Sequence, residues 1–260
     1  MKIDQIFGLE DKTVMITGAS SGIGRATAKL FSECGCKVSL VDINMQGMID
    51  TAEQLAQPTK HETSLVDLSK KESIDGLWGN LKETPDILVN NAGSYPSQDF
   101  LKMTEEEYQK TVDVNLNSMV WMCRQFIARR KKMGGVIVNV GSIEAILPFK
   151  KHLVPYSVSK AAVIALTRSL ARDYGRAGIR ANVVLPGAIM TPGTMSQVWN
   201  GLFHARVDLM RTADVFSSRL ALGRWGKPEE VAKVIVFLAS DMASYIQGAL
   251  IPVDGGFLSS

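Results

Sequence analysis

Cysteine and histidine are both scarce in this chain, three of each among 260 residues. So few cysteines, and an odd number of them, exclude a disulfide framework. Cys34 and Cys36 flank Gly35 at a helix-to-strand turn with no histidine near them in sequence, so they read as reduced thiols rather than zinc ligands. No run reaches the roughly 18 uninterrupted apolar residues of a membrane span. The first dozen residues carry Asp4, Glu10 and Asp11 and lack the apolar segment of a signal peptide. The expected setting is soluble and cytoplasmic. Excess charge is also missing: a net charge of +3 gives no reason to expect nucleic acid or a membrane surface as a partner. Arg129-Arg130-Lys131-Lys132 is a local exception that reads as a solvated helix end before Gly134-Gly135, its cations complementing the helix dipole. No linker divides the chain, and 46% hydrophobic content is enough to bury one sizeable core across residues 1–260.

What is present is alternation. Short β-branched apolar runs occur at 13–17, 37–41, 63–66, 87–89, 136–140, 179–185 and 249–253. Helix-forming stretches lie between them, at 22–33, 45–57, 70–82, 105–132, 158–174 and 228–240. Such βα alternation predicts an α/β fold, a doubly wound parallel seven-stranded sheet with helices on both faces. Ligands of such sheets bind beyond the carboxyl ends of the strands.

Two groups of residues at those ends carry chemistry. In Tyr156-Ser157-Val158-Ser159-Lys160, positions four apart share a helix face, so a phenol and an ammonium lie side by side. Charges about 4 Å apart at an effective dielectric near 20 attract by roughly 4 kcal/mol, enough to pull a tyrosine toward neutrality as a general acid or base. The second group is Gly18-Ala19-Ser20-Ser21-Gly22-Ile23-Gly24, between the first strand and the first helix. Glycines there let a pyrophosphate approach the backbone, and the helix N-terminus offers N–H groups and a positive dipole end. Asp42 ends the second strand, where a carboxylate accepts from an adenosine ribose and repels a 2′-phosphate, so the expected cofactor is NAD rather than NADP. Arg25, next to the turn, is the counterweight, because it could meet a phosphate. Asp67, before Leu68 at the end of the third strand, fits either an adenine amino group or a helix N-cap.

Together these motifs resemble the short-chain dehydrogenase/reductase family in its single-domain form, over nearly the whole chain. Asn90-Asn91-Ala92-Gly93 matches the family element that stabilises the sheet against the cofactor, and Pro186-Gly187-Ala188-Ile189-Met190-Thr191 matches the segment that touches the nicotinamide. The resemblance implies a Rossmann-like fold and a catalytic tetrad of Asn115, Ser142, Tyr156 and Lys160. It assigns the cofactor to Gly18, Ser20, Ser21, Gly22, Ile23, Gly24, Asp42, Asp67, Leu68, Asn91, Ala92, Gly93, Tyr156, Lys160, Pro186, Gly187, Ile189 and Thr191. In that scheme, which needs no metal, Tyr156 takes the hydroxyl proton, Ser142 steadies the oxygen, Lys160 holds the ribose and Asn115 positions a water.

The resemblance further implies a substrate lid at about 191–226. Its apolar residues Met195, Trp199, Leu202, Phe203, Val207, Leu209, Met210 and Phe216 fit either a substrate with a hydrophobic body or a neighbouring subunit. The resemblance also implies a homotetramer, the common assembly of relatives, and Val163, Ile164, Leu166 and Leu170 form a stripe that suits an interface or a core. The expected reaction interconverts a secondary alcohol and a ketone, the substrate a steroid, cyclic or other largely apolar alcohol. The alternatives are a 3-oxoacyl thioester reductase and a non-catalytic dinucleotide-binding protein. Glu144, Lys150, Lys151 and His152 bring unusual charge to the loop before Tyr156, with His152 read as a surface residue.

Overall fold

Buried strands must pair their backbone N–H and C=O groups with one another, because water cannot reach them. In the computed structural model, which describes residues 7–57, 60–195 and 218–260, the apolar runs become β1 (Thr13–Thr17), β2 (Lys37–Asp42), β3 (Glu62–Leu65), β4 (Ile87–Asn90), β5 (Gly135–Val140), β6 (Ile179–Pro186) and β7 (Leu250–Val253). All neighbours are parallel, in the order β3-β2-β1-β4-β5-β6-β7. Strand order reverses between β1 and β4, which puts the expected ligand crevice beyond their C-terminal ends.

The helices are α1 (Gly22–Glu33), α2 (Met45–Ala52), α3 (Lys71–Gly79), α4 (Glu105–Val112), α5 (Ser118–Arg130), α6 (Val154–Tyr174) and α7 (Pro228–Ala239). Alternation along each strand divides the core in two. Val14 and Ile16 join Phe31 of α1 and Ile235 of α7, whereas Met15 joins Trp78 of α3 and Phe126 of α5 on the opposite face. A third cluster, with Ile143, Val163, Leu185 and Phe257, gathers where β5 and β6 end. Among the described residues no helix is long and apolar enough to cross a membrane. The three cysteines are free thiols, and burial pushes Cys36 and Cys123 up to about 12, so both are poor nucleophiles.

Several expectations need correction. The single helix expected over 105–132 is interrupted by a π turn at Asp113–Asn117 that contains Asn115. Its side chain makes tertiary hydrogen bonds that favour the wider turn. Helix α6 starts four residues earlier than expected, at Val154, with Pro155 in its first turn. On the α6 stripe, which suited an interface or a core, Val163 and Ile164 are buried in the third cluster, whereas Leu166 and Leu170 are half-buried against the third and second. Nor is the basic run merely solvated. Arg129 donates to the Trp78 carbonyl and lies 5.2 Å from the centroid of its ring. Arg130 pairs with Asp86 at 2.9 Å and donates to the Gly134 carbonyl, leaving Lys131 and Lys132 exposed.

Asp86 also accepts from the Thr13 N–H and hydroxyl at 2.9 and 3.0 Å, tying the start of β1 to the end of α5 through Arg130. Burial opposes its ionisation, but the Thr13 bonds and the Arg130 charge outweigh burial and hold the carboxyl below its usual range. A depressed carboxyl stabilises the fold above its unfolded pKa of about 4 and loses that contribution as pH falls through the folded value. Asp86→Ala should therefore cost about 2 kcal/mol in urea unfolding at pH 7, and the deficit should shrink below pH 4. An unchanged midpoint would refute this account.

Candidate active site

The glycine turn leaves β1 and starts α1 in a space too narrow for side chains. Gly18 and Gly22 have φ of +68° and +52°, and a Cβ at Gly24 would lie 2.0 Å from the Gly18 carbonyl oxygen. Ser21 stands at the N-cap of α1 yet makes no side-chain cap bond, so the first N–H groups of the helix are left for a ligand anion. Thr17 at the end of β1 and Asn91 just past β4 hold the turn. The Thr17 hydroxyl accepts from the Asn91 and Ala92 N–H groups, and the Asn91 amide donates to the Thr17 and Gly18 carbonyls at 3.0 and 3.1 Å.

Asp42 lies beside this turn, fixed by N–H groups from Ser20 at 3.0 Å and Asn44 at 2.9 Å. Ser20 therefore has its backbone N–H committed, and its carbonyl accepts from Arg25. Arg25 is not merely solvated: its Nε and Nη2 bond the Thr51 hydroxyl and the Ser20 and Gly47 carbonyls, clamping the turn onto α2. Asp67 accepts from the Ser69 N–H and hydroxyl and pairs with Lys70 at 3.6 Å, so it closes a turn just ahead of α3, whose N-cap is Lys70. Those Ser69 bonds lead the lowering of its pKa. Leu68 is buried against Ile74 and Leu77 in the second core.

Ser142, Tyr156 and Lys160 converge on one cavity. Ser142 follows β5, and its hydroxyl bonds the Tyr156 phenol. Lys160 is buried, donates to the Val140 carbonyl at 2.8 Å and lies 5.8 Å from the centroid of the Tyr156 ring. The expected fall in the tyrosine pKa is not what this geometry produces. Burial pushes the phenol up to about 12, Glu144 and Tyr95 add to the rise, and the Ser142 bond opposes it. The ammonium moves instead, down to about 8, through burial. Its charge faces the Val140 carbonyl and the flank of the ring, and desolvation outweighs its pull on the phenol.

Asn115 is fully buried and clamps the strand-end loop: its oxygen accepts from the Ser94 N–H and its amide donates to the Ser94 carbonyl, both at 2.7 Å. A Cβ on Gly93 would fall 3.3 Å from that oxygen and 3.5 Å from the Lys160 nitrogen, so this glycine lets backbone pass close to both. Ile23, Pro186, Gly187, Ile189 and Thr191 add to the wall, bringing the expected nicotinamide segment beside Tyr156 and Lys160 in a cavity of about 310 Å³. These residues fit a dinucleotide: a close backbone cradle, uncapped helix N–H groups, and a buried ammonium with donors to spare.

Sequence reasoning missed part of the lining. Tyr95, two residues past the Asn-Asn-Ala-Gly element, packs edge-on to Tyr156 at 6.1 Å and bonds the Thr191 side chain. Phe149, Leu153 and Trp225 form an apolar wall. Glu144 and Lys150 also line the cavity, whereas His152 is exposed and outside it. Of the lid residues named from sequence, Met195 is described and exposed; Trp199, Leu202, Phe203, Val207, Leu209, Met210 and Phe216 lie outside the described residues.

A parallel sheet with a phosphate-type turn at its switch point and a Ser-Tyr-Lys group beside it defines a nicotinamide-dependent oxidoreductase. Comparison with known proteins agrees. A family profile described as Enoyl-(Acyl carrier protein) reductase matches residues 18–258. The chain is 38% identical to L-rhamnose 1-dehydrogenase (NAD(P)(+)) of Azotobacter vinelandii, covering 95% of this chain and 97% of the relative. It is 36% identical to NAD-dependent glycerol dehydrogenase of Listeria innocua, covering 98% and 96%. A short-chain type dehydrogenase/reductase from Mycobacterium marinum superposes with a TM-score of 0.85 at 28% identity, covering 100% of each chain. The chain belongs to the short-chain dehydrogenase/reductase family and is an enzyme acting on CH–OH groups with an NAD(P) cofactor.

Proposed function

We propose that the enzyme interconverts a secondary alcohol and a ketone with NAD, using Asn115, Ser142, Tyr156 and Lys160. The observation that carries this reading is the convergence of Ser142, Tyr156 and Lys160 on one cavity with the Pro186–Thr191 segment. Bound nicotinamide supplies the hydride acceptor or donor. In oxidation, Tyr156 as phenolate takes the hydroxyl proton, and Ser142 donates to the oxygen as it becomes a carbonyl. Lys160 spends one donor on Val140 and has two more for the nicotinamide ribose. With its pKa near 8, it can also pass the proton on. Asn115 holds the Gly93–Ser94 backbone and has one lone pair left for a linking water.

NAD rather than NADP is supported at the adenosine end, where Asp42 is pinned beside the turn and Arg25 is committed to three acceptors. Asp67 and Leu68 complete that end in the proposal. Phe149, Leu153 and Trp225 support a substrate with an apolar face, a steroid, cyclic or other largely apolar alcohol. The 3-oxoacyl thioester alternative, kept in view by the family profile, would call for NADPH. A homotetramer in the cytoplasm is part of the proposal; Val154 and Val158, 43% and 50% exposed on α6, are apolar surface for subunit contact.

Following NADH absorbance across a panel of secondary alcohols tests the reaction, and failure to oxidise any of them would reject it. Asp42→Ala should shift the ratio of kcat/KM for NAD over NADP toward NADP by about tenfold or more, since a charge-assisted bond and a repulsion are both removed. An unmoved ratio would discard the ribose role.

A further inference from the structure

Glu144 is a carboxylate in an unusual place. It is only 3% exposed, lines the reaction cavity, and sits two residues beyond Ser142, whose hydroxyl accepts from its N–H at 3.2 Å. Three donors reach the carboxylate: the Lys150 N–H at 3.2 Å, the Phe149 N–H at 3.4 Å and the Ser157 hydroxyl at 3.3 Å. All are long beside the roughly 2.7–2.9 Å of a strong charge-assisted bond. A carboxylate offers about four acceptor positions, so three donors leave one open on a residue that lines the cavity.

Its charge also works against the chemistry. Glu144 helps to raise the Tyr156 phenol, which must ionise for oxidation. A donor arriving from the substrate would spread that charge and relieve the phenol. A cationic donor is disfavoured, because Lys150 lines the same cavity and its charge is coupled to Glu144. A neutral hydroxyl meets both conditions.

We propose that Glu144 is a specificity-determining residue that accepts a hydrogen bond from a second hydroxyl of the substrate, so that the preferred substrates are diols and polyols. This rests on the alcohol dehydrogenase reading above and narrows it. The apolar wall of Phe149, Leu153 and Trp225 then takes the C–H face of the same molecule, while Glu144 fixes which carbinol carbon is presented to Tyr156.

The test uses matched pairs with NAD: cyclohexanol against cis-cyclohexane-1,2-diol, and butan-2-ol against butane-2,3-diol, with 2-aminocyclohexanol as the cationic analogue. The expected wild-type result is a kcat/KM at least tenfold higher for the diol of a pair. Glu144→Ala should cut the diol to mono-alcohol ratio about tenfold, and Glu144→Gln, which keeps one acceptor oxygen and so only part of the loop bonds, should restore part of it. As a readout free of turnover, calorimetric titration of diol into Tyr156→Phe protein saturated with NAD should show Kd about tenfold weaker when Glu144→Ala is added.

If Glu144 merely holds the Phe149–Lys150 backbone, both members of a pair fall together and the ratio stays fixed, which overturns the proposal. Preference for the amino alcohol overturns it as well. Oxidation of mono-alcohols without diol preference sinks this inference and spares the dehydrogenase reading. No oxidation of any alcohol sinks both.

Discussion

Tyr156→Phe should lower kcat for alcohol oxidation by at least about 10³-fold while NADH still binds within about twofold of wild type. In the proposed reaction the phenol oxygen takes the hydroxyl proton, and general base catalysis is worth roughly 10²–10⁴-fold. Losing it also leaves the Ser142 hydroxyl without the partner it holds in the ground state. The ring itself remains, so its edge-on packing with Tyr95 at 6.1 Å should preserve the cavity wall. Stopped-flow turnover and NADH fluorescence titration give the two numbers. Retained turnover would remove Tyr156 from the acid–base role; joint loss of turnover and binding would mean that the site had collapsed.

Lys160→Met should cost about 10²-fold at pH 8 and change the shape of the pH profile. An ammonium 5.8 Å from the ring centroid, at an effective dielectric near 20, stabilises a phenolate by about 3 kcal/mol, or about two pKa units. Burial drives the phenol up to about 12 and the ammonium down to about 8, so the apparent pKa in catalysis belongs to the pair. Oxidation needs phenolate, and its rate therefore rises with pH until the pair has lost its proton. Without the lysine that rise should move about two units upward, so the variant gains on wild type as pH increases. Ketone reduction, which consumes the protonated phenol, should fall with pH in both proteins. A deficit that stays constant from pH 7 to 10 would show that the lysine orients the cofactor without charging the tyrosine.

Local signals made most of this legible from sequence. The strand runs, the glycine turn and the spacing of Tyr156 and Lys160 are properties of contiguous residues, and each sits where its pattern put it. What depended on distant partners was hidden. Arg25 looked like a solvated residue because Gly47 and Thr51 reach it from another helix. Arg129 and Arg130 looked like a charged helix end because Trp78 and Asp86 lie some fifty residues away in sequence. The direction of the Tyr156 pKa followed from pairing it with Lys160, whereas burial, which no neighbouring letters encode, outweighs that pairing. Tyr95 and Trp225 carried no motif, and the depth of Glu144 contradicted the habit of placing a loop carboxylate in water.

The π turn around Asn115 has a consequence for anyone seeking a sturdier version of this enzyme. One surplus residue at 113–117 makes that rod irregular, and removing it would give an uninterrupted spiral with better internal bonding. It would also rotate the asparagine away from Ser94 and loosen the backbone beneath Gly93. On the role proposed for Asn115, toughness and competence are opposed at this one spot, and thermostability screens that ignore turnover will tend to select dead protein.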